Sequence, residues 1–371
     1  MPLNDFPRTA RLLEAGRDAG HHLGAQLFIQ KDGQVLLDAG WGEAREGVPM
    51  TPETLMTWLS CSKPFAAVAL ARLKEQGLVE WDRPVSDWLP EFGQNGKKPL
   101  TVRHLLTHTC GFRSADSVWN SMSPQENLER AFAAPLEPGW VPGETAGYQI
   151  SASWFVLGAL VEKLSGMPYA EYVRQEIFRP LGMESCCFAL SPQEYQAVEG
   201  RVGFLHNTAA GRKEPHRFWD SEAGYGRCWP GASGHGPMRE LAKFYEALGR
   251  GGSPLLRPET VAELTARQRE GLFDLTFQHK VDWGLGLIVN SIHHGPHVPY
   301  GFGPHASPET FGHSGAQSSC SFWDPAHGMS VAWVVNGMPG EPVHRRRARE
   351  LNAALYEDLG LAAENARQAE Q

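Results

Sequence analysis

Trp58-Leu59-Ser60-Cys61-Ser62-Lys63-Pro64-Phe65 sets a serine and a lysine three residues apart at the head of an apolar run. Pro64 falls in the first turn of the helix this run predicts, where a missing N–H costs little. Positions three apart share a helix face, so the Ser60 hydroxyl can lie beside the Lys63 amine. A hydroxyl at its ordinary pKa is a poor nucleophile, and a neighbouring amine whose pKa falls on desolvation can take its proton. The helix N-terminus adds a field that favours the developing anion. Ser-x-x-Lys also arises by chance around a capping serine, so the pair alone leaves both readings open.

Working outward, four more segments bear on the choice. They are Leu100-Thr101-Val102-Arg103-His104-Leu105-Leu106-Thr107-His108-Thr109-Cys110-Gly111-Phe112; Pro142-Gly143-Glu144 with Tyr148 and Leu157-Gly158-Ala159-Leu160-Val161-Glu162; Phe178-Arg179-Pro180-Leu181-Gly182-Met183; and Phe311-Gly312-His313-Ser314-Gly315. In this order they resemble the motifs of the serine β-lactamase and DD-peptidase superfamily, in particular class C β-lactamases and β-lactamase-related bacterial esterases. The resemblance runs over roughly residues 20 to 340. It implies an α+β fold in which an antiparallel sheet is flanked by helices and carries an inserted helical domain. It further implies that Ser60 is acylated and that Lys63 and Tyr148 share the proton transfers. Tyr148 would then act as a phenolate-like base, protonate the leaving group and activate the deacylating water. The N–H groups of Ser60 and of Ala316, which follows His313-Ser314-Gly315, would form the oxyanion hole. No metal or organic cofactor is implied, and the substrate would be a small ester or amide.

Two positions depart from the family pattern. The second motif is usually Tyr-x-Asn, but here it reads Tyr148-Gln149-Ile150, with Ser151 next. Ile150 can neither donate nor accept, and Ser151 would replace the asparagine only if a residue is inserted. The third motif carries His313 where the family has lysine, and a histidine is largely neutral near pH 7. Both changes remove features suited to an amide beside a carboxylate. They favour a carboxylesterase, with a β-lactamase or D-amino-acid peptidase or amidase as the alternative. A catalytically inactive binding protein is a third reading. Ile150 would fit such decay, whereas Ser60, Lys63, Tyr148 and His313 all remain.

The rest of the chain supplies the frame. Phe6 to Ala19 predicts a helix. Gln26 to Gln30 and Gln34 to Ala39 predict a hairpin across Lys31-Asp32-Gly33, a strong turn signal. Trp283 to Val289, Ser318 to Trp323 and Met329 to Val335 predict strands, and Val343 to Leu359 a final helix. Between them Pro64 to Gln76, Thr101 to Thr107, Pro124 to Ala133, Ser153 to Leu164 and Tyr169 to Phe178 carry helical periodicity. Gly77, Gly111, Gly166 and Gly182 stand as stops. Strands at both ends and helices between predict a discontinuous sheet domain over 1–64 and 231–371, with a helical domain over 65–230.

Other chemistries fit less well. The net charge of -8 argues against nucleic acid. No apolar run is long enough for a signal peptide or a membrane span, so a cytoplasmic, membrane-free protein is expected. The six cysteines lack C-x-x-C spacing, and reduced thiols are expected. Gly312-His313-Ser314-Gly315-Ala316 nearly spells the G-x-S-x-G elbow of an α/β-hydrolase but lacks the last glycine. His104 and His108 have zinc-helix spacing without the glutamate of H-E-x-x-H. His293-His294-Gly295-Pro296-His297 could take up a metal adventitiously, surface histidines being the simpler reading. Of the twelve tryptophans, those between Phe218 and Trp229 could wall an apolar acyl or alcohol pocket.

Overall fold

The computed structural model describes residues 3–116 and 122–362. The Asp-Gly signal produces the hairpin it predicts: β1 (Gly24–Lys31) and β2 (Gln34–Arg45) meet across Asp32 and Gly33. These have φ of 50° and 83°, the paired left-handed values that suit the twist of such a turn. A short β3 (Val48–Pro49) follows. The remaining strands of the sheet come from the other end of the chain: β4 (Ile288–Val289), β5 (Phe311–Ser314), β6 (Ser319–Asp324) and β7 (Met329–Val335). The order is β4-β5-β6-β7-β1-β2-β3, with β1 and β7 antiparallel from Ala25 opposite Val335 to Lys31 opposite Met329. The two ends of the sequence are thereby closed on each other.

Both faces of the sheet are covered, so β7 is buried at all seven positions rather than alternating with solvent. Leu27, Ile29, Val331 and Trp333 face a cluster built with α1 (Pro7–Asp18) and the C-terminal helix, Glu341–Asp358. That helix also caps α1. The Asp358 carboxylate accepts from Arg8 N at 3.1 Å, Thr9 N at 2.9 Å and Thr9 Oγ1 at 2.9 Å, meeting donors that a helix start leaves free. Phe28, Ala332 and Val334 point the other way, into one apolar cluster shared with α2 (Lys63–Glu75), α3 (Ala152–Ser165) and α4 (Met238–Gly249). In α2 every residue from Lys63 to Ala71 is buried, as expected of a helix packed on all sides. Gly166 ends α3 at φ 70°, a left-handed cap that favours glycine.

One sequence expectation fails locally and another holds in altered form. Trp283 to Val289 is not one strand. Gly284 N donates to Leu287 O at 2.9 Å and Trp283 bridges Ile288, so the segment turns back on itself through Gly284 and Gly286 and leaves only β4. Tyr169 to Phe178 is α-helical only to Val173 and continues as a π turn. Strand β5 was visible in the sequence as a motif but not as a strand. Among the described residues no helix is long and apolar enough to cross a membrane. All six cysteines are free thiols.

Candidate active site

Ser60 lies in a tight turn, Leu59–Ser62, that runs directly into α2. Leu59 has φ 49°, a left-handed value that costs a branched residue about 1–3 kcal/mol and persists only where the surroundings impose it. They do so here. Trp58 N donates to Gly234 O at 2.8 Å, Trp58 Nε1 donates to Gly236 O at 2.9 Å, and Trp58 O accepts from Ser319 Oγ at 2.6 Å. From the far side Gly315, just past β5, closes on the same turn. A Cβ there would sit 2.4 Å from Trp58 O and 2.3 Å from Ser319 Oγ, so only glycine allows the approach. Ala316 is thereby brought beside Ser60, and both line the same two cavities.

The three residues singled out for proton transfer are together. Lys63 Nζ donates to Ser60 Oγ at 2.9 Å and to Gly231 O at 3.0 Å. Its amine is fully buried, and desolvation lowers its pKa to about 7, despite the opposing charge of Asp116. Tyr148 Oη donates to Ser60 Oγ at 3.0 Å. Burial pushes this phenol well above its ordinary value, with the hydrogen bond to Ser60 opposing and the Asp116 charge adding to the rise. Tyr148 is held from several sides: its N–H donates to Asp274 Oδ1 at 3.0 Å, its carbonyl accepts from Thr276 Oγ1 at 3.0 Å, and its ring stacks on Phe277 at 4.7 Å and leans on His108 at 4.6 Å. Asp274 is in turn paired with the buried Arg269 at 3.0 Å.

The substituted positions are also placed. His313 is buried on β5, its Nδ1 2.9 Å from Ser314 O, and burial lowers its pKa to about 3. It therefore faces the site as a neutral ring, not as a stand-in for the lysine cation. Ile150 lines both cavities. Ser151 lines one of them, but its hydroxyl donates to Asp116 Oδ1 at 3.0 Å rather than toward Lys63. Asp116 was missed by the sequence reading. Its buried carboxylate also accepts from the N–H groups of Ile150 at 2.8 Å, Ser151 at 2.9 Å and Ala152 at 2.7 Å. With its amide turned to satisfy both ends, Gln149 adds a fifth bond at 3.0 Å.

The rival constellations do not assemble. Ser314 is inside a strand of an antiparallel sheet, not on a strand-to-helix elbow. His104 accepts from Thr101 N in a capping box, and His108 accepts from Gln149 N at 3.0 Å and is fully buried.

Two cavities meet at Ser60. One, about 250 Å³, is bounded by Tyr148, Thr276, Phe277, Tyr300, His313 and Arg345. The other, about 130 Å³, is walled by Phe155, Trp219, Trp229 and Met338. The second includes tryptophans from the segment singled out as a pocket wall.

A family model described as Beta-lactamase matches residues 9–356. The chain belongs to the β-lactamase family. It is 32% identical to Esterase EstB of Burkholderia gladioli, covering 86% of this chain and 88% of that one. It is 26% identical to Esterase/beta-lactamase LipL of Mycobacterium tuberculosis over 84% of this chain and 77% of that one. Among solved structures, a penicillin-binding protein homologue from Caulobacter crescentus superposes with a TM-score of 0.75 at 29% identity, covering 95% and 97% of the two chains. The α+β fold of this β-lactamase-family chain is therefore the one its motifs implied.

Proposed function

We propose that the chain is a carboxylesterase acting through a Ser60 acyl-enzyme. The observation that carries this is the pair of hydrogen bonds converging on Ser60 Oγ from a lysine and a tyrosine whose environments differ. An amine with a pKa near 7 is substantially neutral at pH 7 and can accept the serine proton. A phenol pushed upward by burial is a proton carrier rather than a standing phenolate. Lys63 is thus the base; Tyr148 hands its proton to the leaving oxygen and is resupplied with the serine proton held by Lys63, so both end the step as they began it. This reverses the first half of the role that the motifs alone implied for Tyr148. The N–H groups of Ser60 and Ala316 bind the oxyanion, where one such donor typically contributes about 3 kcal/mol. In deacylation the same relay runs backwards, drawing a proton from water.

The larger cavity contains Tyr148 and takes the leaving alcohol, because that oxygen must reach the phenol. The smaller, apolar one takes the acyl group. Neutral His313 and the apolar Ile150 offer nothing to a substrate carboxylate, and Arg345 at the cavity wall already has the Glu341 carboxylate 3.5 Å away, which favours neutral esters over penicillins and D-alanyl peptides.

Short-chain p-nitrophenyl esters and nitrocefin, each with wild type and Ser60→Ala, test the reading. Ester turnover that disappears in the variant, with little nitrocefin cleavage, is expected. Nitrocefin turnover rivalling the ester would overturn the substrate assignment. Two further results are expected. Because neutral Lys63 is the active form, kcat/KM should climb with pH through an apparent pKa near 7, and a flat profile from pH 5.5 to 8.5 would remove Lys63 as base. Met338→Ala should enlarge the acyl cavity and raise the hexanoate-to-acetate preference by about tenfold. An unchanged ratio would place the acyl chain elsewhere.

A further inference from the structure

The loop after β4 carries His293 and His294 on a single short turn, Ile292–His294. Both reach the carboxylate of Asp282, which the sequence did not connect with them. His294 Nε2 lies 2.9 Å from Oδ1, and His293 Nε2 lies 3.1 Å from Oδ2. Asp282 is fully buried, whereas His293 is 44% exposed, so the cluster has a closed floor and an open mouth. Oδ2 has no hydrogen-bond partner among the described residues, even though His293 is near it. A buried carboxylate oxygen 3.1 Å from one imidazole and 3.4 Å from a guanidinium, yet bonded with good geometry to neither, is out of place in a simple hydrogen-bonded pair.

We infer that Asp282, His293 and His294 form a binding site for one divalent transition-metal ion of the zinc, cobalt or nickel class. Two imidazole nitrogens and a carboxylate oxygen are a ligand set such ions take, at about 2.0–2.2 Å each, with a further position left to water. Ligand atoms at those distances stand about 3–3.5 Å apart around a tetrahedral ion. Here one ring nitrogen from each histidine and one carboxylate oxygen of Asp282 lie within 4.8 Å of one another, so a small closing movement completes the set. The carboxylate has outer support, as ligating carboxylates generally do. Gly271 N donates to Oδ1 at 2.9 Å, and Arg267 Nε stands 3.4 Å from Oδ2. Arg267 stands beside the carboxylate with its Nη2 tied away to Asn290 O at 3.1 Å and Pro308 O at 2.5 Å, and the buried Arg269, paired with Asp274, acts on it electrostatically. Their charges weaken the site without blocking it.

The site shares no residue with either cavity at Ser60. It would nonetheless fasten the loop leading to Tyr300, which lines the larger cavity, to the segment leading into Trp283, whose ring lies 5.7 Å from that of Tyr148. The ion is a structural staple at the edge of the site, not part of the acyl-transfer chemistry.

Untagged full-length protein titrated with zinc chloride and with nickel chloride by calorimetry, with metal content read after gel filtration, decides the matter. One equivalent should bind to wild type, with a rise in Tm. His293→Ala and His294→Ala should each weaken binding at least about tenfold, by analogy with the 10–100-fold losses seen on removing mere outer-shell partners. His297→Ala, whose ring contacts Arg349 instead, should bind as wild type does. Both histidine variants alter only the loop, so the test stands even if Asp282→Asn fails to fold. No bound metal in wild type, or an affinity in either histidine variant equal to that of wild type, would overturn the inference and leave these residues as hydrogen-bonded neighbours.

Discussion

Lys63→Ala should lower kcat on p-nitrophenyl acetate by about 10³-fold, in the middle of the range that positioned acid–base groups supply. The variant keeps Ser60, Tyr148 and the oxyanion donors but leaves the serine proton without an acceptor of suitable pKa. Stability should move little or rise. A fully buried amine is held there against its desolvation, and its only other bond among those described is to Gly231 O at 3.0 Å. Truncation to alanine trades that bond and some packing for relief of the buried charge, a common balance at catalytic positions. The pairing of results is diagnostic: a large fall in kcat with Tm lowered by no more than a few degrees. The pH limb near 7 should vanish from the residual activity. Retention of kcat within threefold would transfer the base role to Tyr148, in spite of the burial that opposes its ionisation.

Local physics made part of this site legible in advance. Ser60 and Lys63 are three residues apart on one helical turn, so sequence spacing already states their geometry. Asp-Gly specified the first hairpin because its turn needs two left-handed residues in succession. The family motifs located Tyr148, His313 and Gly315, but the reason for Gly315 emerges only in three dimensions, where its missing Cβ leaves room for the Trp58 carbonyl. Trp283 to Val289 misled because its apolar content resembles a strand, while Gly284 and Gly286 let it fold back. Asp116 and Asp282 carried no signal at all. Each gains its role from partners far along the chain, and a single carboxylate without spacing or repetition cannot announce them. The protonation pattern was also hidden. Whether Lys63 or Tyr148 is the base depends on how deeply each is buried, which no motif encodes.

Asp116→Ala should be the most destabilising single change at the site, costing about 3–5 kcal/mol in urea unfolding. The carboxylate receives the N–H groups of Ile150, Ser151 and Ala152 and the Ser151 hydroxyl. Ala152 opens α3, so these include donors that no intrahelical carbonyl can satisfy. The anion also complements the positive end of that helix. Each buried donor left unpaired costs about 1–3 kcal/mol, and two of the three N–H bonds are fully buried. Asp116→Asn separates the contributions. Its remaining carbonyl can keep the three Oδ1 bonds, while its amide faces the Ile150 N–H and the Gln149 amide and loses both bonds to Oδ2, so a little under half of the alanine effect is expected. Activity should follow, because Tyr148 is two residues upstream of Ile150, and a phenol displaced by about 1 Å from Ser60 Oγ can cost about 10²-fold. Below the melting range of the alanine variant, kcat should fall while KM for a neutral ester changes little, since the acyl cavity is walled mainly by other segments. If Asp116→Ala unfolds at wild-type urea with unchanged kcat, Asp116 neither anchors α3 nor positions Tyr148.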